Sequence, residues 1–439
     1  MLRVGIDDRP KGIRLVLYSL QQGLLSFAGS LSVCLLFANG LSDVITLQDN
    51  VLIVQCGLLT CCISTLINCI GIQRLGIGPR LPIISTCSYT FVLPMTVLAH
   101  DPNIGLSGAF GAAIISSLIL LLVGPFLITR LKKYLTPVVS GSVILAVGLC
   151  LMESGFGNLV NFDPESPDVL LFFTLGIGTF ILAIVLSSCC KGFIQSIAVL
   201  IAIIVGYIAA IILGLVDFTA FSETPFVSYP KPFAFGISFP LAPIVTLTIV
   251  HIATFTENVG DCTNISYIVR DRAPTEDELK RCLRGTATGS VVSAIFNGVP
   301  VISGSDNAGL MRISGVGSRL VFICAGAMLG VLSFFPKVSL IFSLIPAPVL
   351  GGITLLILGT IAGSGISIIS QEPIDDRNLI ILGVSLAVGI GGGYAIGYLS
   401  FLPSTTSMLI TGIPGTAVTA LLLNIILPHK VSESTEEKL

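Results

Sequence analysis

The chain has 439 residues, of which 53% are hydrophobic and 10% are charged. Soluble domains carry about 25% charged residues, so this composition excludes an ordinary soluble protein and indicates a polytopic membrane protein. The 22 basic residues nearly balance the 24 acidic ones, and a net charge of −2 provides no basic surface for nucleic acid.

Apolar runs follow one another along the whole chain, and a membrane-spanning helix needs about 20 such residues. The run 378–429 is long enough for two spans, broken near Gly391-Gly392-Gly393 and Pro403, while 285–318 is divided at Pro300 into two short elements. The predicted segments number fourteen, in two groups of seven. The charge-free runs are 15–42, 50–73, 81–100, 102–129, 134–152, 169–190, 192–216, 232–256 (helical to about 268), 285–305, 320–336, 338–371 and 378–429.

The distribution of basic residues tests this count. If the N-terminus is cytoplasmic, fourteen segments leave only Lys231 and Lys337 of the 22 basic residues on the outside. Cytoplasmic loops of membrane proteins are enriched in Lys and Arg. We therefore predict a multi-pass protein of the plasma (cytoplasmic) membrane with both termini in the cytoplasm, a first span that is retained, and a polar cytoplasmic connector at 270–284.

Two short sequences recur in the same order in the two halves. The motif Pro82-Ile83-Ile84-Ser85 has a counterpart, Pro300-Val301-Ile302-Ser303, and 137–141 has one at 348–352. Because seven is an odd number of spans, the second copy must be inverted in the membrane. Inverted repeats with interrupted helices are typical of secondary transporters, whose substrate site lies near the midplane.

Three carboxylates lie within or beside predicted spans. Glu257 and Asp261 are four residues apart and share one helix face, and Asp306 follows the Pro300 motif. An ionisable group at bilayer depth is a functional candidate by default, and a carboxylate that exchanges protons is what proton-coupled transport requires. The alternative is that Glu257 or Asp261 is solvated at the cytoplasmic end of its helix.

The chain around Asp306 is rich in Gly and Ser and predicts unwound or strand-like backbone, as does its counterpart around Ser88 and Tyr89. Such backbone at membrane depth must be buried or line a cavity, where its free polar groups can bind a small polar ring. Tyr89 either stacks on such a ring or is an ordinary packed aromatic residue. We interpret His251 as a structural or peripheral polar group.

The twelve Cys and three His residues show no spacing typical of metal or redox centres, so we expect no metal and no cofactor. No nucleophile–base pair or nucleotide-binding loop is visible, so we expect a protein that is not an enzyme.

Several motifs together resemble the nucleobase–ascorbate transporter family, which includes the uracil–proton symporter and the xanthine and urate permeases. The resemblance covers nearly the whole chain. The motifs are Asp7-Asp8-Arg9-Pro10, Leu20-Gln21, Pro82 with Ser88-Tyr89-Thr90-Phe91 and Pro94, Glu257-Asn258-Val259-Gly260-Asp261, Gly298-Val299-Pro300 and Ser305-Asp306-Asn307-Ala308-Gly309.

The resemblance implies an all-α membrane protein of fourteen transmembrane segments in two inverted seven-segment repeats, with short strands in segments 3 and 10. It implies a core domain from 1–133 (segments 1–4) and 232–336 (segments 8–11). The gate domain would comprise 134–231 (segments 5–7) and 337–429 (segments 12–14), followed by a cytoplasmic tail at 430–439. A homodimer through the gate segments is also implied.

The resemblance further implies a binding site. Glu257 would hydrogen-bond the base ring, Asp306 would replace a second carboxylate or amide, and the backbone at Ser305 and Tyr89 would complete the clamp. The predicted substrate ligands are Glu257, Asp306, Ser305, Tyr89, Ser88 and Asn307. The predicted proton-coupling residues are Glu257, Asp261 and Asp306.

These features predict import of a nucleobase, uracil or a purine such as xanthine, by proton symport with alternating access between core and gate. The alternatives are a sodium-coupled nucleobase or ascorbate transporter and an anion transporter or channel of the same fold. Four departures from the family pattern leave the identity of the transported base open. Asp306 is shorter than the usual Glu, Gln22 replaces a common His, and Thr286 replaces Asp or Asn. In addition, Gly315 follows Ser314 where the family has a basic residue after a Thr.

Overall fold

The computed structural model describes residues 2–131, 134, 136–160, 168–395, 398, 401, 407 and 410–428. The basic residues Lys132 and Lys133, the predicted break at Pro403 and the predicted tail at 430–439 lie outside the described residues.

The first half of the chain is a series of helices interrupted by one short strand, and brief helical turns at Phe193–Ser196 and Thr219–Glu223 flank its last helix. Its elements are α1 (Ile13–Asn39), α2 (Leu47–Ile70), β1 (Ser85–Cys87), α3 (Val92–His100), α4 (Gly105–Leu131), α5 (Pro137–Leu159), α6 (Val169–Cys189) and α7 (Ala198–Ile212).

The second half repeats the pattern of helices with one strand. The helix that begins at Asp376 continues through a π-helical turn at Ala387–Gly391 and a last turn at Gly392–Tyr394. Its elements are α8 (Leu241–Arg270), α9 (Glu276–Ile295), β2 (Val301–Ser303), α10 (Ser305–Ser314), α11 (Arg319–Leu332), α12 (Pro336–Ser343), α13 (Ala347–Ile369), α14 (Asp376–Leu386) and α15 (Gly412–Ile426).

Among the described residues, eight helices are long and apolar enough to cross a membrane, and a ninth span results if α11 and α12, which meet at 83°, are taken together. Three apolar helices are shorter: α3 together with the 3₁₀ turn Tyr89–Phe91 that precedes it, α7 and α15. The chain is therefore a multi-pass membrane protein, as the composition predicts.

Several predicted boundaries are wrong. The run predicted at 232–256 becomes helical only at Leu241, and the run 192–216 contains the shorter helix α7. The stretch 270–284, predicted as a connector, is helical from Glu276 onward. Thr275 and Glu278 form a capping box that starts the helix, and three acidic residues in its first turn favour its positive end.

The two strands pair with each other in the interior. β1 and β2 are antiparallel, with Ser85 opposite Ser303, so the last residues of the two copies of the first motif face each other. A strand pair at membrane depth must satisfy its outer backbone groups. Hydroxyl groups do this here: Thr65 of α2 accepts from Ser85 N at 2.9 Å, and Ser290 of α9 donates to Val301 O at 3.0 Å.

The helices that contain the second pair of motifs also pack together, because α5 lies along α13 at backbone distance, although the motifs themselves lie at opposite ends of this contact. A Cβ atom added at Gly148 would lie 2.7 Å from the carbonyl oxygen of Leu358 and 2.7 Å from the amide nitrogen of Ala362. Small residues allow such close approach of membrane helices. Both recurring motifs therefore lie in elements that contact their counterparts.

Candidate functional site

The three predicted carboxylates converge where α8 meets α10. Glu257 and Asp261 are one turn apart on α8, and Asp306 lies in the first turn of α10. Asp261 and Asp306 are both close enough to Glu257 to interact with it electrostatically. Residues separated by about 50 positions in the sequence thus share one site.

The backbone around Asp306 differs from the prediction of an unwound segment. The strand β2 ends at Ser303 and α10 begins at Ser305, so Asp306 is helical. The helix ends at Gly315, where φ is +70°, a value that glycine adopts without steric cost. This accounts for the glycine that follows Ser314.

Asp261 is buried and already hydrogen-bonded. The hydroxyl of Ser303 donates to its Oδ2 at 2.5 Å, and the hydroxyl of Ser305 donates to its Oδ1 at 2.8 Å. Asp261 therefore links α8 to the end of β2 and the start of α10. Sequence reasoning missed Ser303 as a site residue, although it ends the counterpart of the Pro82–Ser85 motif.

Glu257 and Asp306 differ from Asp261 in this respect. Neither carboxylate has a hydrogen-bond donor among the described residues, and Asp306 is exposed. The N-terminus of α10 carries no side-chain cap, so free backbone N–H groups lie beside Asp306. Acceptors and donors are thus available side by side.

Tyr89 approaches the same place from the first half of the chain. Its hydroxyl is buried beside the Ser32 side chain, and it interacts electrostatically with Asp306. The preceding residue, Ser88, is buried, and its backbone N–H donates to Pro300 O at 3.0 Å. The strand pair therefore brings Tyr89 to the carboxylates.

The side chain of Asn307, a predicted ligand, is occupied. Its Nδ2 donates to Gln22 Oε1 at 2.7 Å, and Ser26 Oγ donates to its Oδ1 at 3.0 Å. Asn307 therefore ties α10 to α1. Gln22 was visible in the sequence as a departure from the family pattern, but Ser26 gave no signal.

His251 lies away from the carboxylates. Its Nε2 is 3.0 Å from Ser117 Oγ, and its ring centroid is 4.4 Å from that of Phe91. Since Ser117 donates its own proton to Ala113 O at 2.6 Å, Nε2–H is the donor to Ser117. His251 is buried and joins α8 to α4, in agreement with a structural role.

Among the described residues, no group of three or more His, Cys, Asp or Glu side chains is arranged to hold a metal ion. The arrangement instead suits a small planar molecule with N–H and C=O groups. Two carboxylates without hydrogen-bond donors in the described part of the chain lie beside an uncapped helix N-terminus, and a buried tyrosine hydroxyl lies nearby.

Comparison with known proteins finds relatives over nearly the whole chain. Residues 13–397 match the sequence profile of the xanthine/uric acid permeases, described as the Permease family. The chain is 31% identical over 429 residues to the uric acid permease PucJ of Bacillus subtilis, covering 95% of this chain and 93% of that protein. It is 30% identical over 420 residues to the uric acid transporter UacT of Escherichia coli, covering 94% and 86%.

A third relative is the xanthine permease XanQ of Escherichia coli, 32% identical over 377 residues, which covers 81% of this chain and 80% of that protein. Solved structures share the fold at low identity. The transmembrane domain of the cyanobacterial bicarbonate transporter BicA superimposes with a TM-score of 0.53 at 16% identity, covering 95% of this chain and 98% of that chain. The murine anion transporter Slc26a9 gives 0.64 at 10% identity, covering 95% and 69%.

Proposed function

The chain belongs to the Permease family of xanthine and uric acid permeases, and from that premise we propose that it imports a nucleobase, uracil or a purine such as xanthine, by proton symport. Family membership makes it a membrane transporter and confirms the prediction that it is not an enzyme.

One observation carries the proposal: Glu257 and Asp306 are acceptors without donors among the described residues, beside the uncapped start of α10. The edge of a nucleobase alternates N–H donors and C=O acceptors. When a bound base excludes water from this site, each polar group there needs a partner, and an unpaired one costs about 1–3 kcal/mol. Glu257 and Asp306 accept from ring N–H groups, and the N–H groups of α10 donate to a ring carbonyl.

Proton coupling follows from the charges at this site. Glu257, Asp261 and Asp306 lie within electrostatic range of one another, with no Lys or Arg bonded to any of them in the described part of the chain. Three neighbouring negative charges repel one another, and one proton bound together with a neutral base relieves that repulsion. Asp261 relays this change through Ser303 and Ser305 to the substrate-binding end of α10.

The larger architecture belongs to the proposal as well. Fourteen segments arise if β1 with α3 is segment 3, β2 with α10 is segment 10, α11 is segment 11, and α12 connects it to segment 12. The core domain then contains 1–133 and 232–336, and the gate domain contains 134–231 and 337–429. Rocking of the core against the gate alternately opens the midplane site to each side. The gate segments form the homodimer contact.

Anion transport is the competing function, because the solved structures of similar fold include bicarbonate and other anion transporters. At such low sequence identity, the structural similarity shows a shared fold and does not show a shared function. A site with three carboxylates and, in the described part of the chain, no Lys or Arg bonded to them repels an anion, which favours an uncharged substrate.

The test is uptake of radiolabelled uracil, xanthine, urate, adenine, guanine and ascorbate by cells that express the protein, with empty-vector cells as control. We expect uptake of at least one nucleobase above the control. Transport of bicarbonate or sulfate with no uptake of any compound in the panel would replace the proposal with anion transport.

A further inference from the structure

A cavity of about 200 Å³ lies apart from the three carboxylates. Elements of the proposed core, α3 and α8, form one side, and elements of the proposed gate, α5, α14 with its π-helical turn, and α15, form the other. Its polar lining residues are Cys150, Glu153, Ser154, Thr246, Tyr394 and Thr411.

Glu153 is the charged side chain of this cavity. It lies inside α5, six residues before the helix ends at Leu159, which is about 9 Å along the axis. Among the described residues, its carboxylate has no hydrogen-bond or ion-pair partner. Glu153 is exposed and lines the cavity. An ionisable side chain on a membrane helix is a functional candidate by default, and the site described above does not use this one.

The opposite wall offers donors. The first turn of α15, at Thr411–Pro414, lines the cavity and has no side-chain cap, so its leading N–H groups are free of side-chain partners among the described residues. Ile390 of the π-helical turn and Gly393 also line it. π-Helical turns occur frequently at functional sites. The cavity therefore pairs a carboxylate acceptor with backbone donors, as the central site does.

The cavity lies to one side of the central site along the helices. Thr246 precedes Glu257 by eleven residues on α8, or about 16 Å, and Leu93 and Pro94 follow Tyr89 by about one turn. With both termini cytoplasmic, this is the extracellular side. A substrate that enters from outside between core and gate meets Glu153 before it meets Glu257.

We propose that this cavity is an outer binding position for the nucleobase, in which Glu153 accepts a ring N–H before the base reaches Glu257 and Asp306. The inference rests on the proposed function and adds a second position for the same substrate class. A volume of about 200 Å³ is smaller than the roughly 300–1,000 Å³ of drug-sized sites and suits a single small ring.

The native Cys150 provides the test, because it lines the same cavity one turn before Glu153. Eight of the twelve cysteines are buried, so replacing Cys189, Cys190 and Cys324 with serine leaves Cys150 as the accessible thiol. Purified protein is alkylated with N-ethylmaleimide with and without uracil or xanthine. We expect a base that is taken up to slow alkylation, also in Glu257→Gln, but to have no such effect in Glu153→Gln.

Uptake kinetics provide the second readout. Losing one charge-assisted hydrogen bond should raise KM about tenfold in Glu153→Gln, with a smaller increase in Glu153→Asp. The matched control is Glu223→Gln, an exposed carboxylate outside the cavity, which should keep the KM of the parent protein.

Two results would overturn the outer position. Protection of Cys150 that disappears in Glu257→Gln would mean that the signal comes from the central site. Unchanged protection and KM in both Glu153 variants would mean that the carboxylate does not contact the base. Failure of the proposed function itself is a different result, namely no uptake of any base by the wild-type protein.

Discussion

Asp261 and Asp306 carry the same side chain but have different partners, and this difference separates their roles. Asp261 accepts two hydroxyl hydrogen bonds from the strand–helix junction, whereas Asp306 has no donor among the described residues. A carboxylate with its own donors positions the site, and a carboxylate without them is free to bind the substrate. Glu257 belongs to the second kind.

The first prediction concerns these free carboxylates. We expect Glu257→Gln and Asp306→Asn each to lower nucleobase uptake at least tenfold, because a hydrogen bond to a charged group contributes about 1.5–3 kcal/mol. Initial rates of uptake at equal membrane expression measure the effect. Full uptake by both variants would contradict the assignment of Glu257 and Asp306 as ligands of the nucleobase.

At the scale of elements, the pairing of α5 with α13 depends on the absence of side chains at their contact. We expect Gly148→Val to destabilise the purified protein by about 1–3 kcal/mol, because the new side chain would overlap the backbone of α13. Thermal unfolding in detergent measures this.

Gly157 provides the matched control on the same helix, since a Cβ atom there would meet nothing within 4 Å. Gly157→Val should therefore leave the unfolding temperature close to that of the wild type. Equal losses in the two variants would mean that helix propensity, not the contact with α13, sets the effect.

The start of α9 depends on one acidic residue outside the membrane segments. Arg272 donates to both carboxylate oxygens of Glu278 at 2.8 and 2.9 Å, and Arg270 also pairs with it. Mainly through the hydrogen bonds from Arg272, helped by the Thr275 backbone, the pKa of Glu278 falls from 4.5 to about 2.

A lowered carboxyl pKa stabilises the fold above the ordinary value of 4.5, and the contribution is lost as the pH falls through about 2. We therefore expect Glu278→Gln to lower the unfolding temperature at pH 7 and to differ less from the wild type at pH 3. Glu276→Gln, whose partner Lys280 is on the same exposed helix face, is the control and should change little at either pH. A constant difference for Glu278→Gln at both pH values would contradict this assignment.

At the scale of the whole molecule, the proposed architecture places titratable groups where core and gate would separate. If a proton accompanies each base, uptake should rise when the external medium is acidified and should collapse with a protonophore. Uptake by cells at two external pH values, with and without sodium, measures this. Dependence on sodium without stimulation by acid would favour sodium coupling instead.

The sequence by itself determined the membrane class, the Permease family and the three carboxylates, because composition, motif order and helical spacing are local properties of the chain. It could not determine that Asn307 is held by Gln22 and Ser26, that Asp261 is hydrogen-bonded by Ser303, or that Glu153 faces a cavity. Those facts depend on contacts between residues as far as 285 positions apart, which only the packing of the two halves creates.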